Sequence, residues 1–295
     1  MIWMRSAWIP LLLAGFASPS SAQTLAGAID MHAHSDPDGT PRSIDAIDLA
    51  RLAKSRGMRA IVLKNHYEPT ASLAYVVRKE VPGIEVFGGI SLDLTVGGVN
   101  PAAVDWMTKV KGGYGRVVWM PTFDSENQVV SSRQQRPFAR VAKDGQLVPE
   151  VVQVISIVAK HNLVLETGHS SPAEAMLIIR EARRQGVQNI LVTHAMATPV
   201  RMSIPEMQEA AKLGAYLEFV WVKPDSAAAD EYVKAIRAVG PEFCVLSSDL
   251  GQPANPLHPD GLMELYRFLH SRGFAVSDID RMAKINPAKL LGLKP

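Results

Sequence analysis

The sequence predicts an α/β fold of one domain, a (β/α)8 TIM barrel with an extra C-terminal helix. Three observations predict it. Short β-branched runs alternate with amphipathic stretches of helical period, the signature of a parallel sheet covered by helices. The runs number eight, and a helical stretch follows each. The chain of 295 residues, less a leader, suits a barrel that usually takes about 250. An open doubly wound sheet is the alternative topology.

The first segment reads as a leader, outside the fold. Met1 to Arg5 ends in a positive charge, Ser6 to Ala17 is mostly apolar, and Ser20-Ser21-Ala22 has the small-x-small form cleaved by signal peptidase before Gln23. About a dozen apolar residues are too few for an uncleaved anchor, since a bilayer needs roughly 20. A secreted or periplasmic protein is therefore expected, with residues 1–22 removed, residues 23–295 forming the barrel domain, and no stable membrane association afterwards.

The barrel elements then follow in order. Strands are expected at Ala28 to His34, Ala60 to His66, Glu85 to Leu92 and Arg116 to Pro121. Helices at Ile44 to Lys54, Thr70 to Glu80, Pro101 to Lys111 and Pro149 to Lys160 come after them. The second half repeats the rhythm, with strands at Leu163 to Thr167, Asn189 to His194, Ala215 to Val222 and Phe243 to Ser248. Its helices are Ala173 to Gln185, Ile204 to Leu213, Ala227 to Val239 and Gly261 to Ser271. Ser171-Pro172 and Ser203 supply start signals, while Gly57, Gly186, Gly214 and Gly273 sit where helices should stop. One connection, Thr122 to Val148, far exceeds the usual two to six residues of a βα loop. Within it Lys143-Asp144-Gly145-Gln146 reads as a hairpin turn. The segment is expected to be a lid over the site or, alternatively, a loose surface insertion. A last helical stretch, Ser277 to Leu293, offers Asn286 as a cap, Pro287 at the first helical position and Gly292 as terminator.

Composition narrows the function. With 47% hydrophobic and 20% charged residues the chain folds around its own core. A net charge of +2, from 31 basic and 29 acidic residues without a basic run, gives nucleic acid nothing to grip. The lone Cys244 cannot form an intramolecular disulfide. A small-molecule substrate is the expected partner, and a homo-oligomer is compatible with the sequence.

The eight histidines are unevenly placed. His32, His34, His66 and His194 end proposed strands, and His169 and His258 lie in loops just beyond strands. His161 and His270 fall near helix C-termini, where the dipole favours an imidazolium, and read as structural. Every strand of such a barrel opens its C-terminal end onto one face, so the first six converge. In Asp30-Met31-His32-Ala33-His34, period-two alternation turns both histidines to one side and Met31 and Ala33 to the other, a pair able to chelate one ion. Glu166-Thr167-Gly168-His169, Val192-Thr193-His194 and Ser248-Asp249 add ligand-type side chains at three more strand mouths. Each alone is as often a cap or turn residue; together they point to a metal site.

His-x-His after strand one, His after strands five and six, and Asp after strand eight resemble the metal-ligand set of the amidohydrolase superfamily, which includes phosphotriesterase-like and TatD-like hydrolases. The Asn286 to Gly292 run is similar to that superfamily's closing helix. The resemblance implies that His32, His34 and Asp249 bind one divalent ion, and that His169 and His194 bind a second or contact substrate. Zinc is the expected metal, as one ion or two, with Mn, Fe or Ni as alternatives. The chain departs from the pattern where binuclear members bridge their metals, because Val117-Val118-Trp119-Met120-Pro121 offers neither lysine nor glutamate. Lys64 and Glu166 are the substitutes at hand; Lys64 alternatively stays cationic and grips an anionic substrate group, or is a solvated bystander.

The expected activity is metal-dependent hydrolysis of a small-molecule amide, lactone, ester or phosphoester, with Asp249, His194 and Lys64 as catalytic residues. Lys64, His66, Trp119, Phe123, Asp124 and His258 are expected to bind substrate, with Glu126 and Asn127 nearby. A mononuclear decarboxylase on the same barrel and an exported metal-dependent small-anion binding protein are the alternatives.

Overall fold

A computed structural model describes residues 24–224 and 226–294. The expected leader, and its cleavage point before Gln23, lie outside the described residues.

All eight expected barrel strands are present, trimmed at their ends: β1 (Ile29–Ala33), β2 (Ala60–Leu63), β3 (Glu85–Ser91) and β4 (Gly115–Trp119), then, after the small hairpin β5 (Ala142–Lys143) and β6 (Gln146–Leu147), β7 (Val164–Glu166), β8 (Asn189–Val192), β9 (Tyr216–Phe219) and β10 (Cys244–Leu246). The barrel strands pair in parallel in the order β1-β2-β3-β4-β7-β8-β9-β10. A parallel bridge between Ala33 and Leu250 joins the exits of the first and last strands, closing the ring. The fold is the (β/α)8 TIM barrel.

Helices α1 (Ala46–Ser55), α2 (Ala71–Glu80), α3 (Pro101–Thr108), α5 (Pro149–Lys160), α6 (Pro172–Arg184), α7 (Ile204–Lys212), α8 (Ala227–Val239) and α9 (His258–Ser271) cover the outside, with a short α4 (Glu126–Ser131) in the long loop. Local chemistry sets their starts. Asp45 accepts from the amides of Ile47 and Asp48, and Ser171 and Ser203 each form a capping box with a glutamate three residues on. No helix among the described residues is long and apolar enough to cross a membrane.

Apolar residues fill two shells. Leu49, Val77, Val154, Ile178 and their neighbours pack between sheet and helices, whereas Ile29, Met31, Val62, Val117, Trp119, Val164, Leu191 and Val245 fill the barrel. Met31 was expected to face away from the histidines. Instead the β1–β2 register shifts between Asp30 and Ala33, a bulge that leaves Met31 and His32 both inside and Ala33 outside. The extra residue turns His32 inwards, so strict alternation fails at the residue where a ligand is aimed.

The C-terminal segment also departs from expectation. α10 (Val276–Asp280), a π-helical stretch Arg281–Ile285 and α11 (Asn286–Leu290) run on as one helical rod. Asn286 therefore has helical dihedrals and caps nothing. Its side-chain amide donates to the carbonyls of Pro241 and Cys244, while Ala288, Leu290 and Leu291 plug the barrel floor. The long loop is ordered rather than loose: Val129, Ala139 and Val141 are buried, Arg136 bonds Asp124 and the Phe123 carbonyl, and the hairpin turns at Asp144-Gly145 as expected.

Candidate metal centre

The C-terminal ends of β1 and β10 bring His32, His34 and Asp249 together. Oδ1 of Asp249 lies 3.1 Å from Nε2 of His32 and 3.1 Å from Nε2 of His34. Behind His32, Nδ1 faces Glu218 Oε2 at 3.2 Å, so that imidazole donates backwards and aims Nε2, the nitrogen a cation would take in place of a proton, at the convergence point. Two imidazole nitrogens and a carboxylate oxygen within 4.8 Å of one another make a donor set that fits one divalent ion. A second such group, His32, Glu166 and Glu218, lies beneath the first; Glu166 accepts from Thr193 Oγ1 at 3.0 Å, and Oε1 of each glutamate is buried without a protein partner.

Lys64 stands in this layer, 1% exposed, with Nζ 2.9 Å from His32 Nε2. Burial lowers its pKa, against the pull of Asp249, Glu166, Glu218 and Asp93. Burial also opposes charge on His32, yet Asp249 and Glu218 outweigh it and lift that imidazole to about 10. Glu166 is pushed up to about 8 by burial and by its neighbour Glu218. Asp249, despite burial, is held well below the carboxylate range by His32 and His34. These carboxylates already provide the negative field that a bound cation needs. The backbone is bent here as well, with positive φ at His194 (26°) and Asp249 (51°), a costly conformation for residues other than glycine.

Above this layer opens a cavity of about 420 Å3. His34, Lys64, His66, His169, His194 and Asp249 line its depth, and Arg42, Phe123, Gln128, Thr198 and Gln252 its walls. His66 Nδ1 is 2.7 Å from Thr122 Oγ1, whose hydroxyl donates to Asp93. Asp93 also accepts the amides of Thr122 and Asp124, so Thr122 receives the His66 Nδ1 proton and the ring turns its Nε2 lone pair to the cavity. Gln128 Oε1 sets His169 in the same way at 3.0 Å. A larger cavity of about 680 Å3 lies at the other end of the barrel, among Arg59, Lys284, Ala288 and Leu293; among the described residues no histidine, aspartate or glutamate lines it, so the chemistry belongs to the smaller one.

Most sequence-predicted site residues meet here, and four do not. Trp119 faces inwards but is fully buried below the cavity, its ring 6.3 Å from that of His32 and 5.6 Å from Lys64 Nζ. Asp124 is spent on loop architecture, bonding Arg136 and the Leu94 amide. His258 sits in the first turn of α9, behind the cavity wall, with both ring nitrogens buried and unpartnered. Glu166 lies under the site rather than in the cavity lining. Sequence reading missed Glu218, Asp93, Thr122 and Arg42. Glu218 had a signal, an acid between Leu217 and Phe219 in an apolar strand.

A family model described as a family of unknown function, DUF6282, matches residues 27–218. No curated protein matches the chain. Among solved structures the chain is similar to a variant of a phosphotriesterase-like lactonase from Deinococcus radiodurans, with 14% identity, 92% of this chain and 97% of that one covered, and a TM-score of 0.62. It is similar to an amidohydrolase from Pseudomonas aeruginosa at 11% identity, 90% and 95% coverage and a TM-score of 0.60. A third is 2,6-dihydroxybenzoate decarboxylase from Rhizobium, at 13% identity, 90% and 99% coverage and a TM-score of 0.54. These neighbours are amidohydrolase-superfamily members, and at such identities the likeness is one of fold.

Proposed function

The chain belongs to DUF6282, a family of unknown function, and from that premise we propose that it is a metal-dependent hydrolase cleaving a small-molecule amide, lactone, ester or phosphoester. The observation that carries the reading is the single Asp249 oxygen 3.1 Å from both the His32 and the His34 Nε2. His32, His34 and Asp249 would hold the ion, zinc being the one this donor set suits best, and Glu166 and Glu218 lie close enough beneath to add charge. A divalent ion there supplies Lewis acidity towards water and towards the oxygen of the scissile group.

The remaining work falls to side chains. Asp249, 26% exposed at the cavity, accepts a proton from water and returns it to the leaving group. His194 and His169 face the same space and orient the substrate, and Lys64 holds positive charge beside His32. Neighbours named for lactone hydrolysis and for decarboxylation share the fold, which supports the reaction type without fixing the bond. One observation favours a mononuclear decarboxylase as second reading: the inward residues at the end of β4 are Val117 and Trp119, which cannot bridge two ions. The leader-like residues 1–22 support action outside the cytoplasm; a mature mass beginning at Gln23 is the check, and an intact Met1 would refute it.

Metal analysis and kinetics test the reading together. His32→Ala/His34→Ala should lose at least one ion per chain and all turnover in a screen of esters, lactones, amides and phosphoesters. Asp249→Asn should lower kcat by roughly 10² or more while substrate still binds. One ion per chain with carbon dioxide release and no hydrolysis would replace hydrolase with decarboxylase. Full metal occupancy in the double variant would remove the ligand assignment.

A further inference from the structure

The loop from β1 to α1 is pinned to the exit of β10. The His34 amide donates to the Leu250 carbonyl at 2.9 Å, Ser43 to Gly251 at 2.8 Å, and Asp36 to Ile44 within the loop at 2.9 Å. The pinning carries Arg42 into the cavity wall beside His34, Asp249 and Gln252, with its side chain only 6% exposed.

A buried guanidinium needs acceptors for five N–H groups. Arg42 has one: Nε donates to Asp38 Oδ2 at 2.7 Å. Nη2 lies 2.6 Å from the same oxygen and is itself buried without a hydrogen bond, and neither contact to Asp38 uses Nη1. Asp38, fully buried, leaves Oδ1 unpartnered in turn. The pair is thus joined through one oxygen of Asp38, which leaves the Nη1 end of the guanidinium outside it. Lys64, the other cation lining the cavity, is engaged by His32 and surrounded by carboxylates.

We propose that Arg42 anchors an oxyanion of the substrate, a carboxylate, through its Nη1 end, so that the substrates are small carboxylates whose reacting group reaches His34 and Asp249. A guanidinium N–H gives a carboxylate oxygen a charge-assisted hydrogen bond and keeps its charge at any working pH. A cavity of about 420 Å3 holds a molecule of that size. The inference takes its reaction from the hydrolase reading, but the anion site stands on Arg42 and Asp38 alone.

Calorimetry on the chelator-stripped full chain tests it, with succinate and inorganic phosphate as probes. Succinate should bind the wild type, and Arg42→Met should weaken it at least tenfold, with Arg42→Lys between the two. Asp38→Asn should tighten succinate binding, because the competing carboxylate is gone, and tighter binding cannot come from misfolding. Equal affinity in wild type and Arg42→Met, or no binding of either anion, overturns the proposal. Phosphate binding tighter than succinate with the same Arg42 dependence overturns the carboxylate assignment. Arg42-dependent succinate binding by a wild type that takes up no metal would refute the hydrolase reading and leave the anion site standing.

Discussion

His258 illustrates how a single imidazole can tax the whole fold. Burial holds its pKa at about 4, against an ordinary value of 6.5. Between those two values the unfolded chain binds a proton that the folded chain refuses, so the stability present above pH 6.5 drains away as pH falls towards 4. The upper bound is about 3 kcal/mol from this residue. His258→Phe should flatten the fall in urea midpoint between pH 7 and pH 5; curves parallel to wild type would show that His258 does not contribute. The sequence suggested a loop position for His258 just beyond a strand, whereas it opens α9, and position alone does not show which way a ring turns. The same limit explains the missed Asp93 and Thr122. Their importance lies in a chain of hydrogen bonds to His66 across 56 and 29 residues of sequence, which no spacing displays.

Strands and helices were legible because their periods differ, 2 against 3.6, and because serine caps and terminal glycines mark the ends. The bulge in β1 was not, since register is a property of two strands and the sequence shows one at a time. Asn286 misled for a related reason: Asn-Pro is a start signal in isolation, and only packing against Pro241 and Cys244 turns it into a side-chain brace within a continuing helix. The turn after β7 has a sharper requirement. Gly168 has φ of 61°, and a Cβ there would strike the Met120 carbonyl. Gly168→Ala should cost about 2–4 kcal/mol in denaturant unfolding and displace His169 from the cavity. Wild-type stability in that variant would show that the turn relaxes freely.

At the scale of the molecule, the proposed metal group would couple the first barrel strand to the last. His32 stands on β1, His34 directly follows it and Asp249 follows β10, with His34 and Asp249 separated by 215 positions. A ligand that binds only the folded state stabilises it by mass action, about 2.7 kcal/mol at a hundredfold excess over Kd. Chelation should therefore lower Tm by on the order of 5 °C or more, and His32→Ala/His34→Ala should be indifferent to chelator; an unchanged wild-type Tm would mean that the ion, if bound, does not bridge the seam.

That seam also sets an order of events in the life of the chain. Synthesis delivers His32 and His34 early and Asp249 only when most of the polypeptide exists, so a chain that stops short of Asp249 lacks the third member of the proposed group. On that assignment an ion would be acquired wherever the nearly complete chain folds, from that compartment's supply, and a loaded centre would report that the ring has been completed.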